Sequence, residues 1–157
     1  MVRDSEAASL ARSIALAAVL SGLMILGNTA ASATGSGPGT LRIYNGQVTL
    51  QSGFIMDGAG QVRIQNFGQL NLNNNGTAPV LTKEVRLDTG TLNNAAGNNS
   101  AGPIVIGAHG RIFNSAAGTT LSLGNITVPA NKGIQFGTTG GIALTTINGA
   151  ATNTTNV

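Results

Sequence analysis

The segments "LRIYNGQVTL" (41–50) and "VRIQNFGQLNL" (62–72) are one pattern written twice. In each, an apolar residue stands at every second position, the alternation breaks at an Asn followed by a Gly, and then it resumes. "VRLDTGTLN" (85–93), "IVIGAHGRI" (104–112) and "IQFGTTGGIAL" (134–144) repeat it with variations. Strict alternation places the apolar side chains on one face of a strand. A unit of this size cannot bury that face alone, and a period of about 20 residues marks a solenoid in which each copy covers its neighbour.

The inward set read this way is Leu41, Ile43, Val48 and Leu50 in the first copy, and Val62, Ile64, Leu70 and Leu72 in the second. Later copies contribute Val85, Leu87 and Leu92, then Ile104, Ile106 and Ile112, then Ile134, Phe136, Ile142 and Leu144. A Gly between the two halves of each copy is expected to supply the positive φ of a tight corner. "LSLGNITV" (121–128), in the longer gap before the fifth copy, reads as a weaker, hairpin-like unit. An antiparallel sandwich also shows frequent turn signals. Its strands, however, have no reason to match at polar positions, as Arg42 and Arg63 or Asn45 and Asn66 do. The expected fold is therefore all-β: a parallel β-helix of about five coils, spanning 41–157, behind an N-terminal signal peptide.

That signal is the apolar run "SIALAAVLSGLMILG" (13–27), short of the roughly 20 residues of a membrane span. It is followed by the small-x-small triplet Ala31-Ser32-Ala33, the pattern of a signal-peptidase site. Residues 1–33 are expected to be removed, leaving a Gly/Ser leader at 34–40, no membrane span, and an exported product.

Composition narrows the function classes. Charged residues make up 8% of the chain, against about 25% in ordinary globular proteins. After residue 33 the basic residues are Arg42, Arg63, Lys83, Arg86, Arg111 and Lys132, against Asp57, Glu84 and Asp88. Nucleic-acid binding needs clustered cations, and these are spread along the chain, so no nucleic-acid partner is expected. The chain has no cysteine, which removes disulfides and thiolate metal sites. No cofactor, metal or catalytic residue is expected.

"GTLRIYNGQVTL", "GAGQVRIQNFGQLNL", "VRLDTGTLNN" and the "GTTLSL" and "GIALTTING" phrases, with the Gly-rich leader, resemble the right-handed parallel β-helix passenger region of bacterial autotransporters and filamentous-haemagglutinin-like exoproteins. The likeness covers about residues 37–148. It implies a bacterial cell-surface or extracellular adhesin-type passenger. The absence of cysteine fits, because such passengers cross the outer membrane as unfolded chain. Autotransporters end in a translocating β-barrel, and "AATNTTNV" supplies no barrel strand, so the chain is expected to be a short passenger or a segment of a longer one.

Arg42, Arg63 and Arg86 share one repeat position and form the candidate binding site, a short basic ladder for anionic sugars or lipid headgroups. Solvated side chains on an outer face are the plainer reading. Glu84 and Asp88 beside Arg86 carry the alternative function, a small carbohydrate-active β-helix of lyase or hydrolase type. Glycoside hydrolysis uses two carboxylates at a defined separation, whereas local ion pairing with Lys83 and Arg86 is the simpler expectation. His109, the lone histidine, reads as an exposed corner residue. Asn45 and Asn66 suggest a stacked amide ladder at the corners. Asn94 and Asn114 stand where a fourth apolar residue belongs, so either those strands end early or the amides pair inside. Expected partners are host-surface or glycan ligands, and other copies through uncapped coil ends.

Overall fold

The structure, a computed structural model, describes residues 23–26, 30–33, 40–57, 59–144 and 147–148. Strands β1 (Leu23–Leu26) and β2 (Ala30–Ala33) precede five complete coils. The first coil is β3 (Leu41–Tyr44), β4 (Gln47–Leu50) and β5 (Ile55–Met56); the second is β6 (Gln61–Gln65), β7 (Gln69–Asn73) and β8 (Val80–Leu81). The third is β9 (Glu84–Asp88), β10 (Thr91–Ala96) and β11 (Asn99–Ala101), and the fourth β12 (Ile104–Ile106), β13 (His109–Asn114) and β14 (Thr120–Leu123). The fifth is β15 (Ile126–Thr127), β16 (Gly133–Thr138) and β17 (Gly141–Leu144), with β18 (Ile147–Asn148) beyond it. Among the described residues there is no helix.

Each coil contributes one strand to each of three faces. Face A stacks β1, β3, β6, β9, β12, β15 and β18; face B stacks β2, β4, β7, β10, β13 and β16. The third face is in two pieces, β5 with β8 and β11 with β14 and β17. Successive strands on a face pair in parallel, which settles the choice against a sandwich of hairpins. The chain forms the parallel β-solenoid of about five coils that its alternation predicts.

Register turns sequence repetition into columns. On face A, Leu41 sits beside Val62, then Val85, Ile104 and Ile126. On face B the column is Val48, Leu70, Leu92, Ile112 and Phe136. These residues are all buried, and each aliphatic side chain withdrawn from water contributes about 1.5–3 kcal/mol. A chain with few charges and few aromatics is held by this continuous aliphatic axis.

Three expectations need correction. "LSLGNITV" is not hairpin-like: Leu121 and Leu123 belong to the third face of coil four, and Ile126 opens coil five on face A. "IQFGTTGGIAL" is consequently one leg out of phase, because Ile134 and Phe136 lie on face B and Ile142 on the third face. The pattern repeats at every corner of the coil, so alternation around a glycine does not specify which corner.

The third correction concerns the corner glycines. Positive φ falls on the preceding residues, Asn45 (52°), Asn66 (47°), Phe67 (64°) and Thr89 (65°), rather than on Gly46, Gly68 or Gly90. The glycine is required for space. A Cβ on Gly90 would stand 2.5 Å from Ile64 Cγ2 and 2.6 Å from the Ile64 carbonyl oxygen, in the coil before it. Gly68 faces the Ile43 carbonyl at 2.8 Å in the same way. The chain turns each corner directly against its predecessor.

Asn94 and Asn114 resolve in favour of internal pairing. Both are fully buried, directly above Leu50 and Leu72 in the column. Asn94 Nδ2 donates to Asn114 Oδ1 at 2.8 Å and to Thr119 Oγ1 at 3.0 Å. Asn114 Nδ2 donates to the carbonyls of Thr119 at 3.0 Å and Gly141 at 2.7 Å. Asn99, also buried, donates to Asn94 Oδ1 and to the Ala96 carbonyl. The amides bond inside the coil to the next coil's amide and to the turn into the third face, which offsets the cost of burying them.

Residues 1–22 of the expected signal peptide, together with 27–29 and 34–39, lie outside the described residues. The described remainder is built onto the solenoid: Leu23–Leu26 pairs with Leu41–Tyr44, and Ala30–Ala33 with Gln47–Leu50.

The corner geometry has a direct test. Gly90→Ala should lower unfolding stability by about 1–3 kcal/mol through overpacking against Ile64, read as a lower urea midpoint. An unchanged midpoint would mean that the coils do not approach this closely.

Candidate functional site

Face A carries the arginine ladder. Arg42 is in register with Arg63, and Arg63 with Arg86, as their shared repeat position predicts. Val105 and then Thr127 continue the column, so the ladder ends at coil three. Thr127 and not Gln135 holds this position in coil five, because Gln135 lies beside Arg111 on face B. Strands about 4.8 Å apart hold like charges close together, and Asp88 offsets this. Arg63 Nε approaches Asp88 Oδ2 at 2.6 Å, and Arg86 Nε approaches Asp88 Oδ1 at 3.1 Å. Gly107, in the next coil, leaves room for the cluster: a Cβ there would collide with Asp88 Oδ1. Of the three ladder residues, only Arg42 stands exposed away from this pair of bridges.

The other carboxylates are also engaged. Glu84 Oε1 accepts from Gln61 Nε2 at 2.5 Å across the coil boundary. Lys83, expected at the surface beside Glu84, is instead buried, at 2% exposure. Its stem enters the core between the third face and face A, and its Nζ donates to the Ala59 carbonyl, one coil earlier. Burial pushes the Lys83 ammonium below its ordinary value of 10.5, and the Asp57 carboxylate pulls part of the way back.

His109 opens β13 as an exposed corner residue, as expected. Among the described residues no group of three or more His, Cys, Asp or Glu side chains is placed to hold a metal. Nor is any helix among them long and apolar enough to cross a membrane. What Asn45 and Asn66 share is backbone conformation; their main-chain N–H groups donate to the carbonyls of Gln65 and Asp88, one coil on. The amide ladder expected there runs on face B instead. Asn93 Nδ2 donates to Asn71 Oδ1 at 3.0 Å, and Ser115 Oγ donates to Asn93 Oδ1 at 3.0 Å.

Two grooves lie on face B and its corner with face A, and none of Arg42, Arg63 and Arg86 lines them. One groove, about 750 Å³, is lined by Phe67, Thr89, His109, Arg111, Lys132 and Gln135, among others. A second, about 410 Å³, is lined by Gln69, Asn93, Arg111, Phe113 and Gly137, among others. Arg111 borders both. Its outward position is in register with Thr91 before it and Gln135 after it. Phe113 lies close over Gly137, where a Cβ would strike its ring.

These residues carried little signal in isolation. Arg111 and Lys132 look scattered along the chain, and only the coil phase brings them to one groove. Phe67 was missed, although a signal for it exists: coil two reads Asn-Phe-Gly where coil one reads Asn-Gly, and an aromatic inserted at a corner has no core position to occupy. Comparison with known protein families, with curated proteins and with solved structures found no match.

Lys83 gives a pH test. Between its lowered value and 10.5, the unfolded chain holds a proton that the folded chain has released, so this group's contribution to stability rises with pH across that window. The urea midpoint of the unaltered protein should climb from neutral pH towards pH 10 relative to that of Lys83→Met. Parallel profiles for the two proteins would contradict the burial of a lysine ammonium.

Proposed function

We propose that the protein is an exported β-helical segment of passenger type, whose role is extension and display at a bacterial surface, with adhesion as its outcome. The observation that carries this reading is the uniform coil-on-coil stacking around an aliphatic axis. Such a solenoid gains length of about 4.8 Å with each coil and presents its faces as continuous surfaces. The apolar run at 13–27 with Ala31-Ser32-Ala33, the lack of cysteine, and the likeness of the repeats to autotransporter and haemagglutinin-like passengers support export. The lyase- or hydrolase-like alternative rests on Glu84 and Asp88. Both carboxylates are engaged, by Gln61 and by two arginines, and this favours display over catalysis.

Self-association belongs to the same proposal. Removal of residues 1–33 would take β1 and β2 away from β3 and β4, baring two strand edges for pairing with another copy.

Expression of the full reading frame in a Gram-negative host tests the reading. The mature protein should begin at Thr34 by mass spectrometry and be removed from intact cells by added protease. A cytoplasmic product with residues 1–33 retained would contradict it.

A further inference from the structure

We propose that the face-B grooves on either side of Arg111 form a binding site for an acidic polysaccharide, a linear sugar polymer carrying carboxylate or sulfate groups. This deepens the adhesion part of the proposed function, on which it rests, by naming a site and a ligand chemistry, and it moves the site away from the arginine ladder.

Charge distribution is the first support. The acids among the described residues are Asp57, Glu84 and Asp88, and none of them lines either groove. Asp88 bridges both Arg63 and Arg86 on face A and offsets one of their two charges, whereas Arg111 is exposed between the grooves and Lys132 lines the larger one, with no carboxylate of the described residues in its lining. A ligand in either groove therefore meets a cation with no carboxylate in the lining. A guanidinium presents a planar fork that suits carboxylate and sulfate oxygens.

Phe67 supplies the second, independent support. Its side chain is 71% exposed, in a chain where aromatics are 3% of residues. Its backbone lies at φ 64°, directly after Asn66 at φ 47°. A bulky residue in the left-handed region is uncommon and strained, and such residues gather at binding sites. The corner closes without an inserted residue in coil one; in coil two the Phe67 N–H joins the hydrogen bonding between coils by donating to the Thr89 carbonyl at 2.9 Å, while the residue stays exposed outside the core. At the groove wall the ring offers a flat apolar surface for the C–H face of a sugar.

Between these anchors, the side chains of face B suit hydroxyl groups. Gln69, Asn93 and Gln135 carry amide donors and acceptors, and they stand on coils two, three and five of one rigid sheet. A shallow groove crossing several coils fits an extended polymer better than a compact metabolite, which a closed pocket would surround.

Affinity electrophoresis of the full chain tests the site, with polygalacturonate, dextran sulfate or neutral dextran in the gel. Retardation by polygalacturonate identifies a carboxylate ligand and retardation by dextran sulfate a sulfate one; either supports the site. Phe67→Asn keeps a residue that tolerates positive φ, and Arg111→Gln keeps length and polarity. Each should weaken binding by about tenfold, a loss of about 1.4 kcal/mol, with an unchanged melting temperature. Arg42→Gln, which removes a charge on face A, should bind within about twofold of the original protein, because the contact is local rather than a response to net charge. Equal loss in Arg42→Gln and Arg111→Gln, equal retardation by neutral dextran, or no retardation by either acidic polymer would overturn the site. Binding to polyglutamate or to anionic phospholipid vesicles without binding to the acidic polysaccharides would overturn it too. Export and protease removal from intact cells are read separately, so loss of the site leaves the display reading standing.

Discussion

Everything in this molecule follows from parallel, in-register pairing between one coil and the next. That ladder sets each residue directly above its counterpart about 4.8 Å away, so every choice at one position is made against the same position in the preceding coil. Aliphatic residues gain most from the arrangement, forming columns such as Leu41–Val62–Val85–Ile104–Ile126. Charges gain least, since a repeated arginine becomes a stack of like charges. Asp88 between Arg63 and Arg86 is the local remedy, and Gly107 in the next coil keeps the space for it. The same close stacking explains why Gly68 and Gly90 stand at their corners: a side chain there would enter the backbone of the coil before.

Polar residues inside the solenoid obey the same rule. An isolated buried amide would be costly. Asn94 and Asn114 are stacked amides that bond each other, Thr119 and the turn towards the third face. Lys83 is a different solution, a stem placed in the core with its ammonium closing on the Ala59 carbonyl. Both devices sit where the chain changes direction between faces and backbone groups need partners. The aliphatic columns fix the axis, and these polar groups fix the corners.

Much of this was legible in the chain itself. Coils one to three announced their faces and register because Arg42, Arg63 and Arg86 mark the phase together with the apolar residues. Coil five misled because "IQFGTTGGIAL" satisfies the alternation equally well one leg later. The longer connection from Ile126–Thr127 to Gly133 was hidden in an ambiguous "LSLGNITV". The role of the corner glycines was misassigned because a linear sequence does not show which residue lies underneath. The same limit hid the face-B grooves. Phe67 was passed over although its insertion shows when coils one and two are aligned, whereas Arg111 and Lys132 join it only through the correct phase of coils four and five.

That phase decides which side chains share a surface, and the absence of native cysteine makes it simple to examine. Parallel pairing puts Val105 beside Thr127, within the Cα separation of about 4.4–6.8 Å that a disulfide requires. Alignment of the repeats on sequence alone would instead pair Val105 with Gln135. The direct measurement is the extent of intramolecular disulfide formation in Val105→Cys/Thr127→Cys and in Val105→Cys/Gln135→Cys, by mass spectrometry under mild oxidation of dilute protein. The solenoid predicts rapid closure in the first pair and free thiols in the second. Closure of the second pair, or of neither, would contradict it.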